Sequence, residues 1–205
     1  MIDRYALALL KPLAEYIAER LAARGITADQ VTLSGFGLGL IAALLIGFGH
    51  TSPAILPLVL NRALDGVDGA LARRTATTER GAFLDMALDF IFYAAIPLAF
   101  VVANPAENAP AGAALLASFI ATGTSFLAFA VIAEKRGLKS AAYPSKSFYY
   151  LGGLTEGAET IACFLAMCVW PGHFAVIAYG YATLCLVTTA TRLVAGWRIF
   201  GGNDS

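Results

Sequence analysis

Charge is what this chain has least of. Only 14% of its 205 residues are Asp, Glu, Lys or Arg, whereas 59% are hydrophobic and the mean hydropathy is +0.71. Ordinary globular domains carry about a quarter charged residues, and a soluble core does not need this much apolar sequence. The composition therefore points away from a soluble globular protein. Formal net charge is zero, so no bulk basicity points to nucleic acid as a partner. Cysteine is rare: Cys163, Cys168 and Cys185 are odd in number, have no metal-site spacing and lie inside apolar segments. They read as small buried hydrophobes, which excludes a disulfide framework or a thiolate metal site. Histidine is limited to His50 and His173. The first residues also lack the apolar h-region of a secretory signal, because charged residues interrupt MIDRYALALLKPLAEYIAERLAARG throughout. This segment is expected to stay in the mature protein.

What the chain does have is long apolar runs at a spacing of roughly 25 to 30 residues, each near the ~20 residues that cross a bilayer as a helix. The expected fold is all-α: an integral membrane bundle of six transmembrane helices, preceded by an amphipathic interfacial helix and forming a single domain over residues 1–205. Within residues 1–25, Tyr5, Leu9, Leu10, Leu13, Ile17 and Leu21 recur at helical spacing, with Arg4, Lys11, Glu15, Glu19 and Arg20 between them. That pattern predicts a helix lying on the membrane surface. Gly25 is expected to end it and Thr27 or Asp29 to cap the next helix. The spans are expected at Val31–Phe48, Ser52–Arg73, Gly81–Val102, Ala111–Ala133, Phe148–Trp170 and Gly172–Ile199.

The connections around His50, Asn104 to Pro110 and Pro171 to His173 carry no Lys or Arg. Arg4, Lys11, Arg20, Arg24, Arg73, Arg74, Arg80, Lys135, Arg136, Lys139, Lys146 and Arg198 all fall on the opposite side. By the positive-inside rule, both termini are expected in the cytoplasm.

Four carboxylates contradict their apolar surroundings. Asp65 and Asp68 are three residues apart, and Asp85 and Asp89 are four apart, so each pair projects from one helix face. Asp65 and Asp89 each lie eight residues from the cytoplasmic end of a span, roughly 12 Å deep at the helical rise. Acids clustered in a low dielectric repel one another and become protonated unless a bound cation favours their ionised forms. Without His or Cys beside them, they suit a hard cation, Mg2+ or Mn2+, and four acids suffice for two such ions. A two-metal site neutralises a diphosphate and stabilises both the attacking and the leaving oxygen of a displacement. Gly69 and Ala72 follow on the face of Asp65 and Asp68, leaving room for a ligand, and Arg73 is one turn further, within reach of a phosphate.

The pattern Asp65-x2-Asp68-Gly69-x2-Ala72-Arg73-x7-Gly81-x3-Asp85-x3-Asp89 resembles the signature of the CDP-alcohol phosphatidyltransferases at each of its eight positions. The likeness extends along the chain, and ITADQVT is similar to the family's TPNxxT, with Asp29 where Asn is usual and Ala28 where Pro is usual. KSFYYLGGLTEGAET and LNRALDGVDGALARR further resemble an inner-membrane subgroup whose acceptor is not assigned. The resemblance implies six transmembrane helices, a homodimer and a cytoplasmic active site. It also implies transfer of a phosphatidyl group from CDP-diacylglycerol to a small alcohol, with release of CMP. Carried over, Asp65, Asp68 and Asp85 are metal ligands, and Asp89 is a ligand or the catalytic general base. Asp68, Gly69, Ala72, Arg73 and Gly81 border the CDP.

Outside the signature, Asn61, Arg62, Glu156, Glu159 and Arg192 are the polar residues to explain; Glu156 is expected seven or eight residues into span five. Two readings stand. Arg192, with Lys135, Arg136 and Lys146 at the rim, holds an anionic acceptor such as glycerol 3-phosphate or inositol phosphate; or Arg62 and Arg192 neutralise Glu156 and Glu159 in structural pairs. Tyr149, Tyr150, Tyr179, Tyr181, Trp170 and Trp197 read as an aromatic belt, and the glycines of Ser34 to Gly39 as close-packing positions. Two competing functions remain: a cation transporter or channel using the intramembrane aspartates, and an intramembrane prenyltransferase.

Overall fold

The computed structural model describes residues 3–138 and 154–201, with side chains from residue 11 onward, and among the described residues there is no strand. Seven α-helices follow in order: α1 Asp3–Ala22, α2 Ala28–Gly47, α3 Thr51–Arg74, α4 Glu79–Ala103, α5 Pro105–Lys135, α6 Gly157–Val169 and α7 Phe174–Phe200. A single 3-10 turn, Pro171–His173, leads into α7.

Local chemistry sets the boundaries. α1 stops before a turn in which Gly25 takes φ +74°, a left-handed conformation that glycine adopts without a Cβ penalty. Thr27 then caps α2 through a capping box: its hydroxyl accepts from the Gln30 N–H, and the Gln30 side chain accepts from the Thr27 N–H. Thr78 caps α4 by accepting from the Gly81 N–H at 3.0 Å. The expected connection from Asn104 to Pro110 shrinks to Asn104 alone. Pro105 begins α5 at a position where a missing N–H costs nothing, and Asn104 Nδ2 donates to Glu107 Oε2 at 2.9 Å.

Among the described residues, four stretches are long and apolar enough to cross a membrane: α2, α4, α5 and Pro171–Phe200. The expected count of six is not reached on this measure for two physical reasons. α3 has the length, at 24 residues, but carries Arg62, Asp65, Asp68, Arg73 and Arg74. α6 has the apolarity but only 13 residues, because Leu154 and Thr155 form a bend and the helix starts at Gly157. Glu156 is thus the residue before α6, not a position two turns into a helix, and Phe148 lies outside the described residues.

α2 packs along both α3 and α4, and α5 packs along α7. Glycine makes the first of these approaches close. A Cβ on Gly39 would lie 2.6 Å from the Phe92 ring, and one on Gly35 would lie 3.3 Å from Leu64 Cβ. One core, built on Phe92, Ile96, Phe100, Leu115, Phe164 and Phe174, fills the bundle. A smaller one joins Ala14, Ile17, Ala18 and Leu21 of α1 to Val31 of α2 and to Val67, Ala70 and Leu71 of α3. The amphipathic helix therefore has a fixed seat on the bundle, although Leu13, expected on its apolar face, is exposed. The three cysteines are buried and free, as their apolar settings imply. Trp170, Trp197 and Tyr179 are exposed, but Tyr181 leaves the expected belt. It is buried with its hydroxyl 2.7 Å from Thr160 Oγ1, because a phenol at that depth takes a polar partner.

Candidate metal centre

α3 and α4 each bring one acid pair to the same place. Asp65 and Asp68 stand within the second half of α3, Asp85 and Asp89 within the first half of α4, and these helices are joined through the short segment after Arg74. Asp65, Asp85 and Asp89 each offer an oxygen to a group whose ligand atoms all lie within 4.8 Å of one another. Asp68 is outside that trio but lines the same cavity of about 20 Å3, with Thr32, Gly35, Phe36, Asn61, Leu88 and Phe92 completing its walls. Asp68 is buried, and Thr32 of α2 donates to its Oδ2 at 2.6 Å, with the Ala28 carbonyl 3.0 Å away as the alternative acceptor. A hydrogen bond to the ionised form favours that form, so Thr32 helps keep Asp68 a ligand-competent carboxylate.

Two further groups face the cluster from one turn earlier on α3. Asn61 is 6% exposed and donates Nδ2–H to the Gly35 carbonyl at 2.9 Å. That bond fixes which way the amide points, and Asn61 Oδ1 accepts no hydrogen bond among the described residues. Arg62 is ion-paired with Asp65, lies 3.5 Å from Asp89 Oδ1 and donates to the Tyr93 hydroxyl at 3.1 Å. Four carboxylates against one guanidinium leave the group strongly anionic. An all-oxygen, anionic donor set with a buried amide oxygen still lacking a donor fits a hard divalent cation.

The positions assigned to CDP fall beside this cavity in two places. Gly69, Ala72 and Arg73 continue the acid face of α3, and the Arg73 guanidinium lies over Gly69, with Nη1 3.4 Å from where a Cβ would be. Gly81 opens α4, where a Cβ would come within 3.1 Å of both Asp29 Oδ1 and Thr78 Oγ1. Asp29 in turn pairs with Arg80 at 2.5 Å, tying the start of α2 to the start of α4.

The acceptor positions are less concentrated. Lys135 and Arg136 are exposed at the end of α5, where Arg136 lies 5.4 Å from the centre of the Phe200 ring. Lys146 lies outside the described residues. Arg192 is 6% exposed, donates to the Thr122 carbonyl at 3.2 Å and lies 5.5 Å from the centre of the Phe126 ring.

Sequence reasoning left three contributors out of the site. Asn61 and Arg62 had a signal, being four and three residues before Asp65 and so on its face. Thr32 is the closing Thr of ITADQVT, matching the last position of TPNxxT, but that it would serve Asp68, 36 positions away, had no local signal.

Comparison with known proteins adds to this geometry. The sequence model of the CDP-alcohol phosphatidyltransferases matches residues 26–190. The chain is 48% identical over 197 residues to the inner membrane protein YnjF of Escherichia coli, covering 96% of each chain. It is also 37% identical over 83 residues, 40% of this chain and 44% of the other, to the archaetidylinositol phosphate synthase of Pyrococcus horikoshii. The fold superposes with a TM-score of 0.72 on the Mycobacterium tuberculosis phosphatidylinositol phosphate synthase PgsA1 with CDP-DAG bound, at 25% identity and covering 91% of this chain and 94% of that one. A second structure of PgsA1, in complex with manganese and citrate, gives the same TM-score at 24% identity over 90% of this chain and 88% of that one, a likeness of fold.

Proposed function

The chain belongs to the CDP-alcohol phosphatidyltransferase family, a multi-pass membrane transferase of phospholipid synthesis, and on that premise we propose that it transfers the phosphatidyl group of CDP-diacylglycerol to a small phosphorylated alcohol, releasing CMP. The observation that carries this reading is the convergence of Asp65, Asp85 and Asp89 in a cavity that Asp68 also lines. An acid cluster alone also suits a cation pathway or a prenyltransferase; membership in the family decides against both.

In this reading Asp65, Asp68, Asp85 and Asp89 hold divalent cations, Mg2+ or Mn2+, two in number. When bound, these ions neutralise the diphosphate and the charge that builds up on the leaving CMP. The chain's own residues do the rest. Gly69, Ala72 and Gly81 present backbone with little side chain to the cytidine, and Arg73 reaches the phosphates. Asp89 takes the proton of the acceptor hydroxyl as the new O–P bond forms and the bond to CMP breaks. A carboxylate is a weak base for an alcohol, so the hydroxyl must be acidified or held in line for this step to run. Arg192, with Lys135, Arg136 and Lys146 at the rim, holds the phosphate of the acceptor, of the kind found in glycerol 3-phosphate or inositol phosphate.

The setting follows the same reading. The chain is one domain over residues 1–205 with six spans, α3 and the stretch that ends with α6 crossing along with the four apolar stretches. It works as a homodimer in a bacterial inner membrane, with the site and both termini on the cytoplasmic side, where Lys and Arg concentrate.

The test is a panel of alcohols and phosphorylated alcohols, each given to the purified protein with CDP-diacylglycerol and Mg2+, the lipid product being identified by mass. One phosphorylated acceptor should yield a new lipid and stoichiometric CMP. A product formed only from unphosphorylated alcohols, or no metal-dependent CMP with any of them, refutes the proposal.

A further inference from the structure

We propose that Arg62 is a resident counter-ion of the aspartate cluster: a positioning residue that competes with the divalent cation for Asp65 and Asp89 and thereby sets how tightly that cation is held. This rests on the reading of the cluster as a metal site. Arg62 is one turn before Asp65 on α3 and ion-paired with it, while its other guanidinium nitrogen lies 3.5 Å from Asp89 Oδ1 on α4. These are two of the three carboxylates that converge within 4.8 Å. The guanidinium thus occupies part of the shell that a cation needs, and two cations drawn to the same carboxylates repel each other at that range.

The choice of residue matters. Arginine stays protonated at every accessible pH, so the competition cannot be relieved by losing a proton, as it can for lysine or histidine. In exchange, Arg62 offsets the mutual repulsion that would otherwise splay or protonate Asp65 and Asp89. Tyr93, four residues after Asp89, gives the same guanidinium a neutral partner at 3.1 Å. That hydroxyl keeps Arg62 beside the cavity when a divalent ion takes the carboxylates. Its side chain is 26% exposed, with room to shift along the rim without crossing the core.

Direct Mn2+ binding to detergent-purified protein, read from the free Mn2+ signal in electron paramagnetic resonance with no lipid or nucleotide present, tests this. Arg62→Gln removes the charge and should bind Mn2+ about tenfold more tightly than wild type. Arg62→Lys keeps the charge but not the fork that spans Asp65 and Asp89, and its Mn2+ affinity should fall between wild type and Arg62→Gln. If Arg62→Gln does not purify as a folded monodisperse protein, Arg62→Met, which keeps the aliphatic stem, carries the same expectation. A purely structural role predicts the opposite sign, because a disturbed site holds the ion less well. Unchanged or weaker binding in the neutral variants therefore overturns the inference. Asp85→Asn separates this from failure of the site itself: wild-type binding that Asp85→Asn leaves intact, or no wild-type binding, refutes the metal-site reading. Binding lost in Asp85→Asn but unmoved in Arg62→Gln refutes only the role of Arg62.

Discussion

Two polar regions inside this largely apolar bundle are balanced in different ways. Between α5 and α7, Thr122 Oγ1 lies 3.1 Å from Thr189 Oγ1, both hydroxyls reach the Cys185 carbonyl, and Arg192 donates to the Thr122 carbonyl. Between α3 and α4, four carboxylates gather around one guanidinium. In the first region the hydroxyls find partners within the region, which draws two helices together, as hydroxyls do where no water competes. The second is not answered by its own charges, and uncompensated charge at that depth calls for a ligand. On the proposed reading the contrast separates polar groups that serve cohesion from those that serve chemistry, and it is open to direct attack.

The largest effect should come from the unbalanced side. Asp85→Asn removes one of the three converging oxygens, and Mg2+-dependent CMP release should fall by more than about 100-fold, the upper range for losing only an outer-shell partner. The variant should still insert in the membrane, and near wild-type turnover would break the site assignment. Next comes Thr32→Val, which keeps the shape but deletes the 2.6 Å bond to Asp68. Metal affinity should drop about 10- to 100-fold, the usual range for an orienting partner, and isothermal titration with Mn2+ would read it. Arg192→Leu probes whether the α5–α7 region is cohesive alone. If Arg192 also holds the acceptor phosphate, acceptor KM should rise about tenfold with kcat little changed. An unchanged KM would return Arg192 wholly to the cohesive side. The smallest effect belongs to Tyr181→Phe, which loses the 2.7 Å contact with Thr160. It should lower stability by about 1 kcal/mol, seen as a modest fall in melting temperature in detergent, and leave turnover unchanged.

Much of the fold was legible along the chain because its signals are local. Apolar run length located α2, α3, α4 and α7 to within a few residues, Thr27 was readable as a cap, and the 3- and 4-residue spacing of the acids put each pair on one face. Of the α2 glycines read as packing positions, Gly35 and Gly39 do sit against α3 and α4 side chains, whereas a Cβ on Gly37 would meet nothing within 4 Å. The misses share a different origin. The bend at Leu154–Thr155 lies in a stretch whose composition continues as if helical, and Tyr181 turns inward because Thr160, on another helix, waits for its hydroxyl. Asn104 becoming the whole connection to α5 reflects proline's fit at a helix start, where apolar run length is a poor guide.

By itself, the sequence determined that helices would carry two acid pairs at similar distances from one end of the bundle, because helical periodicity is a property of neighbours three and four residues apart. It did not decide which three of the four acids would converge, that Thr32 would serve Asp68, or that Arg62 would join the acids. Those outcomes depend on how far each helix turns about its axis and how near it comes to the next. In this bundle that was settled by the close seating of α2 at Gly35 and Gly39, where the absence of side chains lets three helices converge on one cavity.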